Sequence, residues 1–346
     1  MLYSMLTGEP IVLNDVTEKQ YYFQVPFAQS VCHDTKNLAH VHLILNNFLF
    51  LCLVLPCLWY SQSHIVGIVY LSLHYVLFFG PYMVYQHDHV HIKIFKNKYM
   101  GNFIALFVVG QCHGQPYGTY YINHVIMHHK GANAWGKDFS STERYDRSSI
   151  VHFWLYWLRH YMPVTFLYDM VLTCFQYRRY KIGTAYLVWT LFWYATAYYL
   201  LHTRFYVATL YTLVLPICIT SLAGAFGSMM QHCFIHPTLP RKWYSYDIIN
   251  SRCNAIGFNT GYHNTHHTMV DLHWEEYPDG FRKLVPVYHR DKVLIMHTLD
   301  NVAIMLLIYA KQYKKLATYM VSTEPGGHSL QHCIEVLKKH LAPVYC

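Results

Sequence analysis

The chain has 346 residues and a formal net charge of +8, with 54% hydrophobic, 17% aromatic and only 13% charged residues. An ordinary soluble domain carries about 25% charged residues, so that class is excluded; a mean hydropathy of only +0.13 still leaves a substantial aqueous portion beside membrane segments. The basic residues are interrupted by long apolar runs, which favours a membrane over nucleic acid as the partner of the positive charge, and the ten cysteines form no CxxC pair and no framework spacing, which excludes a disulfide scaffold.

In chain order, residues 1–40 read as an N-terminal cytosolic tail, with scattered charges and no early apolar run of the kind a signal peptide needs. Residues 41–281 read as a membrane domain, and 282–346 as a C-terminal cytosolic helical segment. Four stretches are long and apolar enough for a bilayer, which takes about 20 residues: Val41 to Tyr60, His64 to Gln86, Gly183 to Leu201 and Phe205 to Met230. Ser61-Gln-Ser63 joins the first pair and His202-Thr-Arg204 the second, so both pairs are expected to be tight hairpins. With a cytosolic amino terminus, the segment from His87 to Ile182 and everything after Gln231 are cytosolic as well. Lys and Arg crowd that central segment, whereas the two opposite turns carry only Arg204, and the positive-inside rule gives the same orientation.

Between the hairpins, Met100 to Val109 is too short to span and ends in the breaker-rich Gly110-Gln-Cys-His-Gly-Gln-Pro116, so a buried or partly inserted helix is expected. Val151 to Phe175 is aromatic but interrupted by Arg159, His160, Pro163 and Asp169, which suits the membrane interface. A last helix of that kind is expected from Val293 to Tyr313. Glu324-Pro-Gly-Gly327 is similar to the haem-binding HPGG of cytochrome b5, but a glutamate stands where the axial histidine should be, and too little chain follows for such a domain.

Three histidine clusters carry the chemistry: His87-Asp88-His89-Val90-His91, His124-x3-His128-His129 and His263-x2-His266-His267. Imidazoles three or four residues apart share a helix face and can converge on one ion. Even with 26 histidines in the chain, a given three-histidine pattern arises by chance only on the order of 0.1–0.2 times. Three such patterns, each just outside an apolar segment, point to a polynuclear transition-metal site, because many imidazoles with few carboxylates suit iron, zinc, copper or nickel rather than calcium or magnesium. Asp88 is placed to accept the distal N–H of a ligand imidazole. His89 points off the face shared by His87 and His91.

This arrangement resembles the membrane-bound fatty acid desaturase and hydroxylase superfamily, whose members carry three histidine boxes on the cytosolic side of four transmembrane helices. It is most similar to stearoyl-CoA desaturase-like enzymes, which have one more histidine at the end of the fourth span; His232 in Gln231-His-Cys-Phe-Ile-His236 stands at that place. The resemblance implies an all-α integral membrane fold of four helices in two hairpins, with a cytosolic helical cap holding a di-iron site. It implies His87, His91, His124, His128, His129, His232, His263, His266 and His267 as ligands of two non-haem irons. His113, His236 and His273 lie near boxes and read as neighbours of ligands. Two departures stand out: Ser228 occupies the turn where those enzymes have an asparagine, and box two has three intervening residues where they have two.

The activity implied is desaturation of a fatty-acyl lipid with dioxygen as co-substrate, in the endoplasmic reticulum with the boxes facing the cytosol. Hydroxylation and oxidative decarboxylation use the same ligands and stay open. Electrons are expected from an external donor such as cytochrome b5 or ferredoxin, since the chain has no haem, flavin or iron–sulfur motif. No nucleic acid is expected as a partner. Two readings from other classes are a histidine-rich metal transporter, whose ligands would sit near the bilayer midplane, and a membrane zinc hydrolase, which uses about three protein ligands.

Overall fold

The computed structural model describes residues 1–14 and 25–345. The described chain is mostly helical, and it divides into two compact units. One holds Val25–Met127 together with Met162–Ala223; the other holds residues 1–14, His128–Tyr161 and the chain from Gly224 onward.

The first unit contains the long apolar helices. Helix α1 (Leu38–Ser61) is preceded by a 3-10 turn that Asp34 caps by accepting from the Lys36 N–H. The turn after α1 is as tight as its sequence suggests: Gln62 takes a left-handed conformation at φ 48°, returns its N–H to the Leu58 carbonyl, and accepts the Ala208 N–H on its side chain. Helix α2 (His64–His91) follows without a break, although its winding loosens to a π-type segment over Tyr75–Phe79. Leu45, Phe48, Leu49 and Leu53 on α1 and Ile65, Ile68, Val76 and Leu77 on α2 are exposed. Apolar faces of this extent are stable only against hydrocarbon.

Helix α3 runs over 98–112 and includes a second π segment, Phe103–Val109; it is too short to span, as its sequence indicates. The expected interfacial stretch is two helices, α5 (Ile150–His160) and α6 (Pro163–Gln176), because Pro163 cannot donate into a continuing helix and instead starts a new one. Helix α7 is Tyr180–Leu201 and helix α8 is Tyr206–Gln231. Among the described residues, three helices are long and apolar enough to cross a membrane: Thr35–Ser61, which includes α1, then α2 and α8. Helix α7 has the length, but Tyr186, Trp189, Trp193, Tyr194, Tyr198 and Tyr199 dilute its aliphatic content.

Helix α4 (Tyr121–His128) between α3 and α5 is wound throughout as a π-helix and continues as His129–Gly131. Such i→i+5 winding is rare and tends to mark functional positions. It takes in the additional residue of box two, so that His124 and His128 remain about one turn apart.

The second unit is built on a small sheet that the sequence did not reveal. Its strands are β1 (Leu2–Ser4), β2 (Pro10–Ile11), β3 (Asp247–Ile249), β4 (Ile295–His297) and β5 (Met320–Ser322), in the order β2-β1-β5-β4-β3. Only β3 and β4 are parallel, with Asp247 opposite Ile295. Strand β4 takes the place of the first part of the helix expected over Val293 to Tyr313; the helix is confined to α11 (Asn301–Tyr309), capped by Asp300 on the Ala303 N–H. Helices α9 (His263–Thr268), α10 (Tyr277–Asp291) and α12 (Leu330–Leu341) belong to the same unit. Ile248, Ile249, Ile295, Met296, Phe281, Tyr288, Ile304, Met305 and Ile308 are buried there. The Glu324-Pro-Gly-Gly327 run has a packing role: a Cβ on Gly327 would lie 2.5 Å from the Leu6 carbonyl oxygen, so only glycine lets the two backbones meet.

Candidate metal centre

Each unit carries its own set of converging imidazoles. In the first, the last turn of α2 presents His87 and His91, and α4 presents His124. The ring centroids of His87 and His91 are 5.1 Å apart, those of His87 and His124 4.7 Å, and those of His91 and His124 5.1 Å. Asp88 holds His87 from behind, Oδ1 lying 3.0 Å from the His87 Nδ1, while its Oδ2 lies 3.0 Å from the His40 Nε2. The carboxylate therefore does what the sequence suggested and also reaches back to α1. His89 is buried but turned away, with its Nε2 3.2 Å from the Asn102 Oδ1.

The second unit gathers His128, His232, His263 and His267, each offering one nitrogen within 4.8 Å of the others. The Nε2 atoms of His263 and His232 are 3.2 Å apart, those of His267 and His263 3.1 Å, and those of His128 and His267 3.4 Å. His129 and His266 form a neighbouring pair, Nε2 to Nε2 at 3.2 Å. His232 stands just past the end of α8, one turn after Ser228, and α9 supplies His263, His266 and His267.

The protonation of these rings follows from what lies behind them. The His128 Nδ1 is 2.7 Å from the Asp138 carboxylate and the His232 Nδ1 is 2.9 Å from the Tyr244 carbonyl oxygen. Both partners only accept, so both Nδ1 atoms carry the proton, and a neutral ring then turns a bare Nε2 toward the cluster. Burial, reinforced by His128, lowers the His232 pKa to about 3. Burial and the neighbouring rings of His263, His129, His128 and His232 push His267 well below its usual value. The Nε2 atoms of His263, His267 and His128 face one another at 3.1–3.4 Å and would share one cation. With carboxylates behind the rings instead of among them, the donor set fits a transition metal of the iron or zinc kind.

The outer contacts were not visible in the sequence. Asp138 is buried; burial opposes its charge, but His128 and the Ser140 N–H and hydroxyl outweigh that and hold its pKa below the ordinary value. Gly131 is needed beside it, since a Cβ there would lie 2.6 Å from the Asp138 Cβ. The Tyr277 hydroxyl lies 3.0 Å from the His266 Nδ1, and the Tyr244 hydroxyl 3.2 Å from the His267 Nδ1. These residues lie outside the boxes at irregular spacings, and no periodicity announces them. Ser228 bonds to the Tyr156 hydroxyl at 2.8 Å, and that hydroxyl also donates to the Ser140 carbonyl at 2.7 Å.

The remaining histidines near boxes are in neither grouping. His113 is buried in the first unit and stacks on His74 at 4.8 Å. In the second unit His236 packs against His340 and accepts the Leu239 N–H, and the His273 ring caps a 3-10 turn by accepting the Glu275 N–H. In sequence comparisons, the model of the family described as fatty acid desaturase matches residues 64–299. No curated protein and no solved structure matches the chain.

Proposed function

Because the chain belongs to the fatty acid desaturase family, and so is an integral membrane oxidoreductase of the desaturase type, we propose that it removes two hydrogens from the acyl chain of a lipid with dioxygen as co-substrate. The observation that carries this reading is the convergence of the His128, His232, His263 and His267 Nε2 atoms while the Asp138 carboxylate and the Tyr244 carbonyl hold the Nδ1 atoms of His128 and His232. His87, His91, His124, His128, His129, His232, His263, His266 and His267 would hold two non-haem irons. When bound, that metal pair supplies reductive activation of dioxygen and attack on an unactivated C–H bond.

The protein's own part is preorganisation. Asp88 and Asp138 fix the tautomers of His87 and His128, and the Tyr244 carbonyl fixes that of His232. Room for a chain is suggested at Gly227, where a Cβ would meet no atom within 4 Å, whereas Gly224 faces Tyr161 and Ala225 is fully buried.

Four spans, with α7 as the aromatic-rich third, would put both termini and all boxes on the cytosolic face of the endoplasmic reticulum, and an acidic electron donor such as cytochrome b5 or a ferredoxin would be steered by the basic cytosolic segments. The test is expression in a desaturase-deficient host, with lipid profiling and metal analysis of the purified protein. A new unsaturated acyl product and about two irons per chain are expected by this reading; zinc, or an unchanged lipid profile in a host supplied with donor, would refute it.

A further inference from the structure

Four consecutive residues between the boxes each contact a part of the metal-binding apparatus. The Tyr246 hydroxyl donates to the Met230 carbonyl at 3.1 Å, and the Ser245 hydroxyl donates to the Gln231 carbonyl at 2.9 Å. The Tyr244 carbonyl accepts from the His232 Nδ1 at 2.9 Å. The Asp247 carboxylate accepts the Thr265 N–H at 2.9 Å and the Thr265 hydroxyl at 2.6 Å, inside α9. Met230, Gln231 and His232 are the end of α8 and the residue after it, where helix carbonyls lack internal partners. Tyr244 to Tyr246 thus run beside that end one residue for one residue, and Asp247 ties the same segment to the helix that carries box three.

Tyr244 does most in this segment, because it meets two presumed ligands from different elements. Its carbonyl takes the His232 proton while its hydroxyl lies 3.2 Å from the His267 Nδ1, and its ring stacks on His232 at 5.8 Å and meets His267 edge-on at 5.0 Å. A metal on the His267 Nε2 requires the proton on Nδ1, and the Tyr244 hydroxyl oxygen stands in reach to accept it. The ring is buried among these partners, and Trp243 before it is anchored by its indole N–H on Asp291 at 3.0 Å.

We propose that Tyr244 is a positioning residue that presets both His232 and His267 for one metal of the pair, with Ser245 and Asp247 as its mount. The inference rests on the metal-dependent reading above but is separable from it, since its readout is metal retention, not product. Tyr244→Phe keeps the ring, its packing and the main-chain carbonyl, and removes only the oxygen facing His267. Tyr246→Phe is the matched control: it removes a buried phenol that also contacts the end of α8 but faces no imidazole, bonding instead to the Met230 carbonyl and the Asn301 side chain.

The experiment loads full-length wild type and both variants in detergent with iron(II), and separately with zinc(II), then measures retention against graded chelator together with the melting temperature of the metal-free forms. Tyr244→Phe is expected to release one of its metal equivalents about 10–100-fold more readily than wild type while retaining the other, the usual cost of losing an outer partner of a ligand. Tyr246→Phe is expected to release metal as wild type does, whatever its melting temperature. Unchanged retention in Tyr244→Phe, loss of both equivalents together, or equal weakening by both variants would overturn the assignment. Wild type that bound no metal at all would refute the proposed function itself.

Discussion

Replacing Asp138 by asparagine tests how the second unit keeps its imidazoles ready. In the structure one carboxylate oxygen, Oδ1, accepts both the Ser140 N–H at 2.8 Å and its hydroxyl at 2.7 Å, and the other, Oδ2, faces the His128 Nδ1 at 2.7 Å. An asparagine has one oxygen, and the two Ser140 donors claim it. Its NH2 group then faces the His128 Nδ1–H, donor against donor, and the clash is relieved only if His128 moves its proton to Nε2. That proton would occupy the lone pair aimed at the metal. A hydrogen bond to a charged group contributes roughly 1.5–3 kcal/mol, and each 1.4 kcal/mol is about tenfold in affinity, so metal should bind about 10–100-fold more weakly. Isothermal titration of the metal-free protein with zinc(II), checked by metal analysis after chelator challenge, measures this directly. The fold should persist, since the variant buries one charge fewer. Wild-type affinity in Asp138→Asn would refute the tautomer argument.

His232→Ala should lower the metal content of purified protein to about one equivalent or less of the two proposed, whereas His89→Ala, whose ring turns to Asn102, should leave it at the wild-type value by elemental analysis. Gly227→Leu should fold and bind metal but shift or abolish the acyl product seen by lipid profiling; Ala225→Leu should lower the melting temperature, because Ala225 is already fully buried. Burial, opposed by its bonds to Thr265 and Tyr288, raises the Asp247 pKa from 3.8 to about 6, so folding favours the protonated acid. That contribution is present in full below the unfolded pKa and is lost as pH rises through about 6. A shift of this size corresponds to roughly 2–3 kcal/mol. The melting temperature of metal-free wild type should therefore fall relative to Asp247→Asn as pH rises from about 4 to about 6, and a constant difference would contradict the assignment.

Local pattern determined a good deal of this protein. Length and hydropathy located the helices of the first unit, since a bilayer demands a long apolar run that no neighbouring residue can supply or disguise. Histidine spacing identified the residues the structure gathers, because positions about one helical turn apart share a face whatever the tertiary fold. His232 came from resemblance alone, for nothing around a single histidine after a helix marks it as different from His236. The π-winding of α4, which takes in the additional residue of box two, has no period of its own to read. The five strands of the sheet are only two or three residues long, too short for an alternation to register, and they pair β1 with β5 across nearly the whole chain. Asp138, Tyr244 and Tyr277 acquire their roles only when folding sets them behind a ring. An imidazole shows in sequence that it can bind a metal, but its tautomer depends on the acceptor at its other nitrogen, and only the tertiary structure decides which residue that is.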